Sequence, residues 1–211
     1  KIAVLKERRK YECRVAATPD TAKRFIDLGA RVVVEHDAGH QANYEDQQYR
    51  EAGAEIADSE AETLSGADVV LKVQSPLAGD DGETDELCLI QDGAVLVGLL
   101  APFDQRSQVD IYAQHGINAF AMELMPRITR AQSMDALSSQ SNLAGYRSVL
   151  DAAVEFDRAL PMMMTAAGTV APARVFVLGA GVAGLQAIAT ARRLGAIVSA
   201  TDVRLTAKDQ V

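Results

Sequence analysis

Residues 175–204 read VFVLGAGVAGLQAIATARRLGAIVSATDVR, and this stretch decides the fold. An uninterrupted apolar segment leads into a glycine turn, a helical segment follows, and a second apolar segment ends at Asp202. The order predicts a βαβ unit with two parallel strands. The G-x-G-x-x-G spacing of Gly179, Gly181 and Gly184 is the fingerprint of a dinucleotide-binding turn.

Each residue of this fingerprint has its own predicted role. Gly179 lets the chain leave the strand sharply, Gly181 lets backbone N–H groups approach a pyrophosphate, and Gly184 lets the helix pack closely on the sheet. The helix N-terminus then faces the phosphates with unpaired N–H groups and the positive end of its dipole. Asp202 is expected to accept hydrogen bonds from the adenosine ribose and to repel a 2′-phosphate. The pattern therefore favours NAD over NADP.

Glycines also close ordinary tight turns that bind nothing, so the context of the motif matters. Here the turn follows an apolar strand and opens a helix whose inward positions include Leu185, Ile188 and Ala191. Two arginines and then Gly195 predict the end of that helix. This nesting favours the nucleotide-binding interpretation.

Composition and charge exclude several classes of protein. The chain has 211 residues, of which 48% are hydrophobic and 24% charged, as in an ordinary globular protein. Its net charge is −8 and its basic residues are not clustered, which argues against nucleic acid and against an anionic membrane surface. No run approaches the ~20 apolar residues of a bilayer-spanning helix, and no signal peptide is recognised. Cys13 and Cys88 are expected to be free thiols.

The first part of the chain alternates strand and helix patterns. A helix is expected from an N-cap at Thr18 through Pro19 to Gly29, and another over Gln108–Gln114. The polar segment Gly79–Glu86 is interpreted as a solvated loop. Continuously apolar strands predict a parallel sheet covered on both faces, and they are expected at Ile2–Leu5, Arg31–Glu35, Asp68–Val73, Ala94–Leu99 and Asn118–Ala121.

The fold class is therefore α/β, with two Rossmann-like lobes built on parallel sheets. The predicted boundary lies near residue 130, which gives lobes 1–130 and 131–211. A helix over Ser138–Leu160, ended by Pro161, is expected to link them. A Rossmann sheet needs more strands than the two of the second lobe, so that lobe is expected to be incomplete and to continue in a longer protein.

Three blocks of sequence carry a family resemblance: MELMPRITRAQSMDALSSQSNLAGYRSVLDAA (122–153), PMMMTAAGTV (161–170) and GAGVAGLQAIATARRLGA (179–196). They closely resemble the NAD(H)-binding alpha subunits of the proton-translocating NAD(P) transhydrogenases. The opening KIAVLKERRKYECRVAATP (1–19) is a pattern that these subunits share with alanine dehydrogenases.

The resemblance implies a Re/Si-specific transhydrogenase in which hydride passes from NADH on this subunit to NADP⁺ on a partner domain. It also implies coupling to proton movement through a membrane-spanning component, and a homodimer. The chain itself would be cytoplasmic, held at the inner face of the bacterial inner membrane by its partner subunits.

The family's nicotinamide loop corresponds to 127–138. Carried over by residue, Arg127, Asp135 and Ser138 would position the carboxamide, and Gln132 would reach the partner's nucleotide. Hydride transfer needs alignment and water exclusion rather than an acid or base, so Arg127, Gln132 and Asp135 are the catalytic candidates. The complete cofactor-binding set is Arg127, Gln132, Ser133, Met134, Asp135, Ser138, Gly179, Ala180, Gly181, Val182, Gly184, Asp202, Val203 and Arg204.

Simpler roles remain open for several of these residues. Asp135 or Ser138 could instead form the N-cap of the long helix. Arg204 could equally be a surface salt-bridge partner. His36 and His40 have a helical spacing, but His36 follows a strand and Gly39 interrupts the segment, so no metal site is predicted.

Two other functions compete with the transhydrogenase. In alanine dehydrogenases Arg14 and Lys72 would correspond to ligands of the substrate carboxylate, but Leu100 stands where that family's catalytic His is expected. Without this His, oxidative deamination lacks its general acid/base. The third possibility is a regulator that binds NAD(H) and transfers nothing.

Overall fold

The computed structural model describes residues 1–78 and 85–210. The chain forms two compact units, Lys1–Ala131 and Gln132–Val211. Within the described ranges, no helix is both long enough and apolar enough to span a membrane. Cys13 and Cys88 are free and exposed.

A six-stranded parallel sheet forms the centre of the first unit. The strand order is β3-β2-β1-β4-β5-β6, so the chain builds outward from β1 in one direction and then in the other. Such a reversal opens a crevice at the carboxyl ends of the two strands where it occurs, here β1 and β4. The strands are β1 (Ile2–Val4), β2 (Val32–Glu35), β3 (Glu55–Ala57), β4 (Val69–Gln74), β5 (Val95–Leu99) and β6 (Asn118–Ala121).

Both faces of this sheet are covered, as the apolar strands predict. Ala3 and Leu5 belong to one buried cluster and Val4 to another, because neighbouring residues of a strand point to opposite faces. The Thr18 hydroxyl accepts from the Thr21 N–H at 3.2 Å and caps the first helix. The helices of this unit are α1 (Pro19–Asp27), α2 (Asp46–Glu51), α3 (Glu60–Leu64), α4 (Glu86–Leu89) and α5 (Arg106–Gln114).

Four short elements were not predicted from the sequence: α2, β3, α3 and α4. Of the segment expected to be a solvated loop, residues 79–84 lie outside the described residues. The expectation is wrong for Glu86, which begins α4 and is fully buried. Its carboxylate is compensated by Lys72 and Arg8, which lie far away in sequence.

The second unit contains the predicted βαβ arrangement. Strands β9 (Arg174–Leu178) and β10 (Ile197–Thr201) pair in parallel, and α7 (Val182–Arg193) connects them. The preceding helix α6 spans Ala136–Glu155, which is shorter than expected because Asp157 adopts a left-handed backbone with φ of 54°. An exposed antiparallel hairpin of β7 (Met163–Thr165) and β8 (Gly168–Val170) was not predicted.

A small core lies between the two strands and the helices of this unit. It includes Val149 of α6, Ala187 and Ala191 of α7, and Ala173 before β9. Burial alternates along β9 and β10, and the side chains of Phe176 and Leu178 are mostly exposed. The two strands are therefore covered on one face only by the described residues.

Candidate nucleotide-binding site

The glycine turn joins the end of β9 to the start of α7. Gly179 has a φ of +93°, a conformation that favours glycine, and its N–H donates to the Thr201 carbonyl of β10 at 2.7 Å. A Cβ on Gly184 would lie 1.8 Å from the Gly179 carbonyl oxygen. The first turn of α7 therefore lies so close to the preceding loop that only glycine fits at position 184.

The N-terminus of α7 has space in front of it. Gly181 is its N-cap residue, and no side chain among the described residues caps the helix there. A Cβ built on Gly181 would meet nothing within 4 Å. Uncapped N–H groups at a helix start, together with the helix dipole, suit a phosphate group.

Asp202 lies just past the end of β10, next to the glycine turn. Its carboxylate accepts from the Ala180 N–H at 2.7 Å and from the Arg204 N–H at 2.7 Å. The Arg204 side chain binds the same carboxylate through Nε and Nη2, both at 3.0 Å. Hydrogen bonds from Arg204 and from the Ala180 N–H hold the pKa of Asp202 far below its usual range. The group is therefore a carboxylate at any physiological pH.

A cavity of about 410 Å³ opens beside this carboxylate. Val203 is almost fully exposed next to it, and Val182 is exposed at the start of α7. The structure thus brings the predicted phosphate turn and the predicted ribose ligand to one place within the second unit. The cavity is lined by Ala180, Ala200, Thr201, Asp202, Arg204, Leu205 and Ala207.

The predicted nicotinamide loop is compact near the start of α6. Residues Thr129–Met134 form a 3₁₀ helix, and Asp135 is the N-cap of α6. Asp135 accepts from the Ser138 N–H at 2.9 Å and from the Ser138 hydroxyl at 2.6 Å. The capping role considered for Asp135 is therefore present, and it orients the two side chains toward each other.

The other loop candidates are more open to solvent. Gln132, Ser133 and Met134 are exposed in the second unit, and Arg127 is exposed in the first. Exposed polar side chains are available for a ligand. Their roles toward a nucleotide stay predictions.

A contact that sequence reasoning missed joins α6 to the start of α7. A Cβ on Gly145 would lie 2.1 Å from the Ala183 carbonyl oxygen, so the two helices touch backbone to backbone. The only sequence signal was a lone glycine inside a long helical pattern, which often marks a packing contact. Gly145 thereby holds α6 against the turn that follows Gly181.

The residues that would bind a substrate in an alanine dehydrogenase have other partners here. Lys72 is buried, and its Nζ lies 2.9 Å from Glu86 and 3.6 Å from Glu7. Arg14 forms two 2.7 Å hydrogen bonds to the carboxylate of Glu12. Leu100 is 2% exposed and belongs to the core of the first unit.

A possible metal-binding group occurs at the end of β2. Ligand atoms of His36, Asp37 and Asp46 lie within 4.8 Å of one another. However, the imidazole directs Nδ1 to Asp46 at 2.5 Å and Nε2 to Asp37 at 3.5 Å. The two carboxylates therefore approach different nitrogens, which is the arrangement of an ion-pair cluster rather than of ligands that share one ion.

Family models match almost the whole chain. "Alanine dehydrogenase/PNT, N-terminal domain" matches residues 3–144, and "Alanine dehydrogenase/PNT, C-terminal domain" matches residues 148–211. The chain belongs to the alanine dehydrogenase/PNT family.

Within the alanine dehydrogenase/PNT family, the chain is 59% identical over all of its 211 residues to an NAD(P) transhydrogenase subunit alpha of Rhodospirillum rubrum. It also matches a crystal structure of transhydrogenase from Sinorhizobium meliloti, with a TM-score of 0.92 and 54% identity over 100% of the chain and 58% of that structure. An L-alanine dehydrogenase structure matches with a TM-score of 0.85 and 28% identity, over 99% of the chain and 56% of that structure.

These comparisons identify the fold as that of the transhydrogenases and alanine dehydrogenases, which confirms the predicted α/β class. The chain spans 55% of the length of the Rhodospirillum rubrum relative. It is therefore similar to about half of a longer subunit.

Proposed function

We propose that this chain is the NAD(H)-binding part of an NAD(P) transhydrogenase. The observation that carries the proposal is the open glycine turn with the Asp202 carboxylate beside it. The 59% identical relative named as a transhydrogenase alpha subunit supports it. The chain would thus take part in transferring hydride from NADH to NADP⁺ held on a partner domain.

Each part of the site has a proposed task toward the dinucleotide. The N–H groups at the start of α7 bind the pyrophosphate, and Gly179, Ala180, Gly181 and Gly184 allow its close approach. Asp202 accepts from the adenosine ribose, and Val182, Val203 and Arg204 line that side. A 2′-phosphate would meet the Asp202 carboxylate, so NAD(H) is the proposed cofactor of this chain.

The loop before α6 is proposed to hold the nicotinamide. Arg127 and Ser138 offer donors to the carboxamide oxygen, and Asp135 accepts from its NH₂ group. Ser133 and Met134 flank the ring, while Gln132 reaches the NADP(H) of the partner. The nicotinamide supplies the hydride chemistry, and these side chains supply alignment and exclusion of water.

The wider assembly is part of the same proposal. A longer alpha subunit would form a homodimer and associate with an NADP(H)-binding domain and a membrane-spanning proton channel. Its place would be the cytoplasmic face of the bacterial inner membrane. Re/Si-specific transfer coupled to proton translocation is the corresponding activity.

The alanine dehydrogenase alternative is disfavoured by geometry as well as by sequence. A buried Leu100 offers no proton-transfer group at the position where a catalytic His is expected. Lys72 and Arg14 are bound by carboxylates of the first unit and are not oriented to a substrate. We infer that both are structural cations.

Stopped-flow measurement of hydride transfer tests the proposal. The full-length subunit is mixed with NADH, an NADP⁺ analogue and an NADP-binding partner domain, and alanine oxidation is assayed in parallel. Rapid transfer without amino-acid turnover is the expected result. NADH binding without transfer would indicate a regulator, whereas turnover of alanine would indicate an alanine dehydrogenase.

Variants separate the two halves of the proposed site. Asp202→Ala is expected to weaken NADH binding, whereas Gln132→Asn is expected to slow transfer far more than it weakens binding. Equal transfer rates for the Gln132→Asn variant and the wild type would rule out the proposed contact between the two cofactors.

A further inference from the structure

The Asp202 carboxylate is already saturated by hydrogen bonds. A carboxylate has about four acceptor positions on its two oxygens. Oδ1 accepts from the backbone N–H and the Nε of Arg204, at 2.7 and 3.0 Å. Oδ2 accepts from the Ala180 N–H at 2.7 Å and from Arg204 Nη2 at 3.0 Å. A ribose hydroxyl that donates to Asp202 must therefore displace one of these donors.

The four donors differ in how easily they can leave. Two are backbone N–H groups of the glycine turn and of the chain after β10, which are fixed by the fold. The other two belong to the Arg204 guanidinium, whose side chain is 55% exposed while that of Asp202 is 9% exposed. Exposed ion pairs contribute little because water solvates the separated charges well. The guanidinium is therefore the donor that can be displaced.

Arg204 also contacts the other side of the same site. Its Nη2 lies 3.3 Å from the Ala180 carbonyl oxygen, so the side chain extends from the end of β10 to the glycine turn. It thereby crosses the side of the cavity where Asp202 is exposed. A displaced guanidinium would stay tethered two residues from Asp202, close to the ribose.

We propose that Arg204 determines both affinity and nucleotide specificity at this site, by competing with the ribose hydroxyls for the Asp202 carboxylate. The inference rests on the proposed NAD(H) function. For NADH, the arginine reduces affinity because the pair must open before the ribose binds. For NADPH, the displaced guanidinium is a cation beside the 2′-phosphate and partly offsets repulsion by the carboxylate.

The proposal predicts effects of opposite sign for the two nucleotides. Arg204→Ala is expected to tighten NADH binding by about two- to five-fold, the range that loss of an exposed pair allows. The same change is expected to weaken NADPH binding. Arg204→Lys keeps the charge but loses the two-pronged hydrogen bonding, so NADH affinity should fall between those of Arg204→Ala and the wild type.

Calorimetric titration of the full-length subunit with NADH and with NADPH provides the test. Arg193→Ala, on the exposed end of α7, is the matched control for loss of one positive charge. Simple charge loss beside an anionic ligand weakens binding, so tighter NADH binding by Arg204→Ala but not by Arg193→Ala supports the proposal. Circular dichroism of each variant confirms that the comparison is between folded proteins.

Two other results would each be decisive. If the wild type binds NADH and Arg204→Ala binds it equally or more weakly, Arg204 is a ligand or a bystander and the competition is refuted. If the wild type binds neither nucleotide, the proposed function itself fails, and this inference fails with it.

Discussion

At the scale of single residues, buried carboxylates of the first unit differ in what stabilises them. Burial alone would raise the pKa of Glu12, but hydrogen bonds from Arg14 and Gln74 outweigh it and hold the pKa at about 2. Glu7 shows the opposite balance: burial raises its pKa, and the charge of Lys72 offsets this only in part. The same residue type therefore contributes with opposite dependence on pH.

Glu12→Gln tests this difference. Because the folded pKa of Glu12 lies below its ordinary value of 4.5, its ionised form stabilises the fold above that pH, and the stabilisation is lost as the pH falls toward about 2. The variant should be less stable at pH 7 and should lose less stability between pH 4.5 and 2. Thermal unfolding at several pH values measures both. Glu55→Gln, at an exposed pair with Arg31, is the control expected to change little.

The buried ammonium of Lys72 gives a second prediction at this scale. Lys72→Met leaves the carboxylates of Glu86 and Glu7 without their main cation. Breaking a buried pair in this way should destabilise the first unit by about 3 kcal/mol, measured by urea unfolding. Lys23→Met removes an exposed i,i+4 pair with Asp27 and should cost under about 0.5 kcal/mol. A similar cost for both variants would contradict a structural role for the Lys72 cluster.

At the scale of elements, α6 links two parts of the proposed site. Its N-terminus carries the Asp135 cap, and its middle touches the first turn of α7 at Gly145. The nine residues from Ala136 to Gly145 span about 14 Å of helix. The position of the nicotinamide loop relative to the phosphate turn thus depends on one close contact between helix backbones.

Gly145→Ala should therefore impair both packing and nucleotide binding. Alanine normally stabilises a helix interior by up to about 1 kcal/mol relative to glycine. Here its Cβ would lie 2.1 Å from the Ala183 carbonyl oxygen, so the helices must separate. We expect a lower melting temperature and weaker NADH binding. Asn142→Ala, at an exposed position of the same helix, should be neutral or stabilising; a stabilised Gly145→Ala variant would contradict the contact.

At the scale of the whole molecule, the two units differ in how completely they are covered. The first has a six-stranded sheet with a buried cluster on each face. The second has a two-stranded parallel pair whose side chains alternate between partly buried and exposed. Local stability follows the burial of apolar contacts around each element.

Hydrogen exchange of the 211-residue chain should report this difference. Backbone amides of β1, β2 and β4 should exchange most slowly, because these strands have neighbours on both sides and covered faces. Amides of β9 and β10 should exchange faster. Equal protection in the two sheets, measured by mass spectrometry of peptides, would show that the second unit is as stable as the first.

The sequence by itself determined the local architecture. Glycine spacing, apolar runs and the cap at Thr18 act within a few residues, so the parallel sheet, α1 and the βαβ unit could be predicted from them. The short elements α2, β3 and α3 could not, because so few residues carry no clear period. The proposed nucleotide ligands came from the glycine motif and from family resemblance, and their roles stay predictions.

Only the tertiary structure decided how charged and small side chains are used. Glu86 looks like a loop residue, yet it is buried because Lys72 and Arg8 converge on it from other elements. Gly145 looks like a weak point of a helix, yet it permits the contact with Ala183. Asp202 and Arg204 bind each other across the end of a strand. Each depends on distances between groups that the fold brings together, and a linear pattern does not contain those distances.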